Sequence, residues 1–229
     1  MLNYFSRFLV AFPVNFYGAI EMVGENGQIV YWLNDSLYLN ITNRCSNRCY
    51  FCFRHYWNGI AGFKLKLRNE PSSEEVIEDL RQHVSRRRWK EVVFCGFGEP
   101  TIRLNCIIEV TEWIKCYHPY LKVRLNTNGH GLLLNPERDV VAELKKSGVE
   151  AVSISLNGHD EDTYNRVCMP VFNDAYKSVL RFIREAKNAS LDTEVTVVRI
   201  PEVDIKRIQD LASNLGVKFR VRELISCFY

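Results

Sequence analysis

Apolar positions along this chain recur alternately with a period near two and with a helical period. Segments 37–42, 91–95, 121–126, 151–155, 193–199 and 217–221 are short and rich in Val, Ile, Leu and Phe. Several are nearly continuous apolar runs, as expected of parallel strands covered on both faces. Between them, segments 106–117, 137–146, 175–187 and 205–215 carry apolar residues at helical spacing. A further helix opens at Ser72, an N-cap with Glu75 three positions on, which together form a capping box. Gly148 and Gly216 follow helices where a left-handed C-cap is needed. Upstream, Glu25-Asn26-Gly27 separates the apolar runs 19–23 and 28–33, and its Asn-Gly pair predicts a β-hairpin turn.

From Leu37 to Val221 the alternation has room for about six βα units of ~30 residues each. A complete eight-unit barrel takes ~250 residues, so an open six-unit barrel fits better. The predicted fold is therefore α/β, a partial (β/α)6 TIM-like barrel with a short N-terminal β-hairpin extension. Residues 1–35 form the extension, 36–224 the barrel and 225–229 a tail.

Composition narrows the function only a little. Of 229 residues, 47% are hydrophobic and 25% charged, as in ordinary globular proteins. A net charge of +3 does not announce nucleic-acid binding, which stays undetermined. The basic run Arg86-Arg87-Arg88 with Lys90 reads as a solvated helix end that suits the helix dipole. Residues 1–17 are apolar and aromatic, but Pro13 and Asn15 interrupt the run and no small-residue cleavage site follows. They read as an added strand or an extension rather than a signal peptide. No run reaches 18 uninterrupted apolar residues, so no membrane span is expected. Three of the eight cysteines fall within eight positions, which indicates metal binding in a reducing compartment, and a cytoplasmic location.

That triplet is Cys45, Cys49 and Cys52, spaced C-x-x-x-C-x-x-C just after the first barrel strand. The C-terminal ends of barrel strands are where this architecture carries chemistry. A compact loop can present three thiolates to three corners of a cubane cluster, leaving the fourth iron an open coordination site. A chelating amino acid can fill that site. Two other readings stand beside this one. Adding His55 makes a Cys3His zinc site, a non-catalytic module for nucleic acid or protein. An electron carrier would recruit a distant cysteine as fourth ligand.

Other strand ends bring further candidates. The second carries Cys95-Gly96-Phe97-Gly98-Glu99-Pro100-Thr101. Its glycines let backbone approach a ligand, Glu99 can accept from a ligand ammonium, and Pro100 fixes the turn. The third ends in Asn126-Thr127-Asn128-Gly129, whose amides and hydroxyl suit ribose. The fourth contributes Ser153 and Ser155 before Asn157-Gly158. Cys95 reads as a small buried hydrophobe and His130 as a surface-loop histidine. Arg44, Arg48 and Arg54 surround the cysteine loop. Polar, glycine-containing ends on four successive strands are what a barrel-top site for a polar cofactor requires.

On these ordered motifs the chain, from about Tyr31 to Leu224, resembles the radical SAM superfamily. Cys45, Cys49 and Cys52 match its cluster motif, and Phe51 occupies a position that lines the adenine site. Gly98-Glu99-Pro100 matches the Gly-Gly-Glu-Pro segment that contacts the methionine amino group, with Phe97 in place of the first glycine and Gly96 as a compensating neighbour. Asn126, Thr127, Asn128, Ser153 and Ser155 stand where the family contacts ribose and carboxylate. More narrowly, residues 31–45, 96–101 and 197–203 are similar to the small radical SAM proteins linked to TatD-family nucleases, whose substrate is unassigned.

The resemblance implies a [4Fe–4S] cluster and S-adenosyl-L-methionine as cofactors, reductive cleavage to a 5′-deoxyadenosyl radical, and hydrogen abstraction from an unknown substrate. It implies an external one-electron donor of flavodoxin or ferredoxin type. A short barrel with no obvious C-terminal lid suggests a macromolecular substrate.

Overall fold

A computed structural model of the protein describes residues 27–225. The predicted hairpin around Asn26 falls largely outside those residues. The described hairpin lies one segment later: β1 (Val30–Leu33) pairs antiparallel with β2 (Ser36–Leu39). Asn34 and Asp35 make its two-residue turn, with Asn34 at φ 52°, a left-handed backbone that Asn tolerates.

From β2 onward the sheet is parallel. It adds β5 (Glu91–Phe94), β6 (Lys122–Thr127), β7 (Ala151–Ser155), β8 (Asp192–Val198) and β9 (Lys218–Arg222), in the order β1-β2-β5-β6-β7-β8-β9. The six parallel strands make a partial TIM-like barrel, and no described strand closes β9 onto β1. A separate small hairpin, β3 (Gly59–Ile60) with β4 (Phe63–Lys64), follows the cysteine loop and was not apparent from the sequence.

Helices cover the outer face. They are α1 (Ser73–Val84), α2 (Leu104–Tyr117), α3 (Gly131–Leu134), α4 (Val140–Ser147), α5 (Glu161–Cys168), α6 (Ala175–Asn188) and α7 (Ile205–Leu215). The capping box forms as expected: Ser72 Oγ accepts from Glu75 N, and Glu75 accepts from Ser72 N at 2.6 Å. Helix α5 escaped the sequence reading because it is short and mostly polar. Asp160 caps its start by accepting from Thr163 N at 2.9 Å, and Met169 ends it at φ 43°.

Strand alternation divides the barrel into an oily outside and a polar inside. Val92, Phe94, Val123, Leu125, Val152, Ile154, Val195 and Val197 face outward and pack with Leu80, Ile107, Leu144, Phe182 and Ile208 in one core. Their neighbours, among them Glu91, Arg124, Ser153 and Glu194, are joined by hydrogen bonds with one another inside the barrel. A second apolar group of Tyr31, Leu65 and Phe97, flanked by Tyr38, Phe53 and Phe63, lies beside the β1–β2 hairpin.

Candidate functional site: the cysteine loop and its cavity

The cysteine loop is held by its own side chains. Asn40, fully buried, donates to the carbonyls of Gln28 and Leu65 and accepts from Phe97 N at 2.8 Å, joining three segments. Asn43 pairs with Leu67 in both directions, donating at 2.6 Å and accepting at 3.0 Å, as a strand partner would. On the other side, Arg48 N donates to Cys168 O at 2.9 Å and Val171 N to Ser46 O at 2.9 Å, so the segment after α5 braces the loop.

The three cysteines line one cavity of about 280 Å³. Its wall also includes Phe51, Gly96, Gly98, Glu99, Asn126, Thr127, Asn128 and Ser155, all expected from the sequence. Two expected residues are not on that wall. Pro100 is buried and opens a 3-10 turn, Pro100–Arg103, behind the rim. Ser153 lies one layer deeper, where it donates to Glu194 at 2.9 Å and accepts from Arg124 at 3.3 Å. Residues 153 and 155 share a face of β7, and only the one nearer the strand end reaches the cavity.

Glu99 is the hinge of the rim. Its carboxylate is 3% exposed and accepts from Thr101 N, Thr101 Oγ1, Thr127 Oγ1 and Asn128 N, at 3.1, 2.7, 2.7 and 2.7 Å. Burial pushes its carboxyl above the ordinary range, against four donors that favour the charged form. The side chain therefore ties the β5 and β6 ends together, and residues 96–99 line the cavity. The glycines serve a different need from the one expected. A Cβ on Gly98 would collide with the carbonyls of Arg44 and Thr42, so Gly98 makes room for the cysteine loop itself.

Cys45 is overlaid by polar contacts: Asn47 N points to its sulfur at 3.5 Å and Asn128 Nδ2 at 3.8 Å. Burial pushes the Cys45 thiol up to about 11, with the Glu99 charge adding to the effect. Cys49 is held below its usual value, first by a hydrogen bond from the Cys168 thiol. Arg54 Nε donates to Cys52 Sγ at 3.3 Å and Nη1 to Asn43 O at 2.9 Å. Arg44 forms a bidentate pair with Glu70, while Arg48 is exposed.

His130 is not a surface histidine. It is fully buried, with Nδ1 2.9 Å from Ser46 Oγ and Nε2 2.8 Å from Tyr164 OH. Gly129, at φ 83°, turns the chain inward just before it. Asn128 Nδ2 donates to Ser46 Oγ at 2.9 Å, so this buried network runs up to the cysteine loop.

The donor set suits an iron–sulfur cluster. All seven cysteines among the described residues are free. The thiols of Cys45, Cys49 and Cys52 stand around one cavity, the sulfur donor set such a cluster takes. His55, the fourth member of the zinc alternative, directs Nε2 to Cys49 O at 3.0 Å.

The family model of the Radical SAM superfamily matches residues 39–215, most of the chain. The chain belongs to the radical SAM superfamily. Members of this superfamily are enzymes that use a [4Fe–4S] cluster and S-adenosylmethionine, and these are its cofactors. They generally need an external electron donor.

Among curated proteins, the chain is 29% identical over 192 residues to a probable GTP 3′,8-cyclase of Thermococcus kodakarensis, covering 82% of this chain and 56% of the relative. It is 27% identical over 195 residues to the GTP 3′,8-cyclase of Streptomyces coelicolor, covering 85% and 52%. The chain thus spans about half the length of the curated relatives it matches. A crystal structure of Streptococcus suis SuiB bound to precursor peptide SuiA shares the radical SAM fold, with TM-score 0.63 and 19% identity, covering 85% of this chain and 40% of that one. The two curated relatives carry the cyclase name, and the narrower likeness to TatD-linked proteins finds no support in them. No described helix of this radical SAM protein is long and apolar enough to cross a membrane.

Cavity-lining residues outside the expected site set include Asn157, Val198 and Arg222, and Cys95, expected at the strand end as a small buried hydrophobe, lines the cavity too. The signal for Val198 and Arg222 was available. Each stands at the end of its strand, at a parity that strand alternation turns inward.

Proposed function

We propose that Cys45, Cys49 and Cys52 hold the cluster with one iron free for S-adenosylmethionine, and that the cavity beneath directs the resulting radical to a substrate hydrogen. The observation that carries this is the meeting of three unpaired thiols and the ends of β5, β6 and β7 on a single cavity. Held there and reduced from outside, such a cluster would supply the electron for reductive cleavage of S-adenosylmethionine to methionine and a 5′-deoxyadenosyl radical.

The chain's own residues bind and orient. The 96–99 backbone offers carbonyls to the methionine ammonium, and Glu99 keeps that rim in place from behind. Asn126, Asn128 and Ser155 supply polar contacts for ribose and carboxylate. Phe51, beside the third cysteine, gives the adenine an aromatic surface. Pro100 sets the turn behind the rim, and Thr127 and Ser153 act through Glu99 and Arg124 rather than by touching the cofactor.

An electron donor of flavodoxin or ferredoxin type suits the exposed Arg48 and the nearby Arg54, since steering of an acidic partner speeds encounter. A cytoplasmic setting suits a protein with so many free thiols. The relatives' names make GTP the first substrate to test.

The test is anaerobic reconstitution with iron and sulfide. A brown protein that releases 5′-deoxyadenosine from S-adenosylmethionine under dithionite is expected, and Cys45→Ala, Cys49→Ala or Cys52→Ala abolishes both colour and product. A colourless protein holding one zinc would refute the proposal.

A further inference from the structure

The polar interior of the barrel is built in two layers, and only one of them is balanced in charge. In the lower layer Arg124 donates to Glu91 at 2.9 Å and Arg220 to Glu194 at 2.8 and 3.0 Å. Ser153 joins the two pairs by donating to Glu194 and accepting from Arg124. Each arginine of this floor has its carboxylate.

The layer above does not match. Arg222 stands two residues beyond Arg220 on β9 and lines the cavity with Cys95, Asn126 and Ser155. Its guanidinium donates to Ser155 Oγ at 3.1 Å. Among the described residues no carboxylate forms an ion pair with it, and the adjacent Glu223 is taken by Arg199 at 3.0 Å. In the same cavity the Asn126 Oδ1 is buried with no hydrogen-bond partner. A buried acceptor left unsatisfied carries a real free-energy cost and marks a place where a ligand donor belongs. One cavity therefore holds a planar cation lacking an anion and an acceptor lacking a donor.

We propose that Arg222, set beside the cofactor-side residues Ser155 and Asn126, anchors an anionic group of the substrate, a carboxylate or phosphate. This rests on the radical SAM reading above and names the substrate class of that same site. A guanidinium takes either anion through two parallel hydrogen bonds, one of which the Ser155 hydroxyl now occupies. The cofactor's own carboxylate has the same chemistry. Placement favours the substrate: among the described strands β9 is the last of the sheet, four strands from β5, whose end carries the rim assigned to methionine. Among the described residues Arg222 is itself solvent-exposed, within reach of an incoming molecule.

The experiment is calorimetric titration, under anaerobic conditions, of the cluster-loaded protein. S-adenosylmethionine is added first, and then GTP, inorganic tripolyphosphate or succinate in separate runs. The native protein is expected to bind at least one of the three anions. Arg222→Gln weakens that binding roughly tenfold or more, as for loss of a charge-assisted hydrogen bond, with cluster absorbance retained. Arg222→Lys restores part of it, since the charge returns without the fork. Loss of cofactor affinity in Arg222→Gln with anion binding untouched would overturn the proposal and assign the arginine to the cofactor carboxylate. Failure of the native protein to bind any of the three would also overturn it. The 5′-deoxyadenosine assay of the native protein separates the two levels: product without anion binding rejects this inference alone, and absence of product rejects the radical SAM site itself.

Discussion

At the scale of single residues, His130 makes the most definite statement about acid. An unfolded imidazole titrates near 6.5, whereas burial holds His130 down to about 4. Between those values the unfolded chain binds a proton that the folded protein refuses. Stability is therefore full above about 6.5 and falls as the pH drops toward 4, by roughly 3 kcal/mol in all. Urea unfolding at stepped pH should show this slope, and His130→Gln should flatten it. Nothing in the sequence announces the burial, because the partners that hold the ring, Ser46 and Tyr164, lie 84 and 34 positions away. Cys45, Cys49 and Cys52 were legible for the opposite reason. Their spacing is local, and a loop of eight residues can only bring them together.

At the scale of elements, the crossing of the cysteine loop over the β5 end is the tightest contact at the site. Gly98 lies against the Arg44 and Thr42 carbonyls, and a methyl group there has no space. Gly98→Ala should lower stability by about 1–3 kcal/mol and reduce cluster occupancy, read from thermal unfolding and iron content. Secondary structure was largely legible because parallel strands and amphipathic helices declare themselves by period. Observed β7 (Ala151–Ser155) and α7 (Ile205–Leu215) coincide with the predicted segments. What the sequence reading lost was short or polar: the turn at Asn34, the β3–β4 hairpin and α5. Each owes its place to contacts from distant segments, as when Tyr50 N donates to Val167 O at 3.3 Å.

At the scale of the whole molecule, the polar floor replaces the oily filling common inside such barrels. Glu91 and Arg124 are only 11% and 22% exposed, so each depends on the other. Glu91→Gln leaves the guanidinium without its counter-charge and should destabilise the protein by about 2–4 kcal/mol. The double replacement Glu91→Met with Arg124→Met should cost far less, because a satisfied ion pair and a well-packed apolar pair differ little in net free energy. Denaturant titration of the three proteins decides the matter. The six-unit architecture itself was legible from chain length and alternation, whereas this inner charge pairing was not, since it joins residues on four different strands.

The unclosed seam has one more implication, for how molecules meet in concentrated solution. An exposed strand margin ordinarily invites a second chain to dock along it and grow a continuous sheet. Here β9 spells Lys218-Phe219-Arg220-Val221-Arg222, with a cation at every other position. Charged side chains set along an edge strand, here Lys218 and Arg220 held by Asp192 and Glu194 with Arg222 beyond them, are costly to bury against a second copy and so discourage runaway assembly.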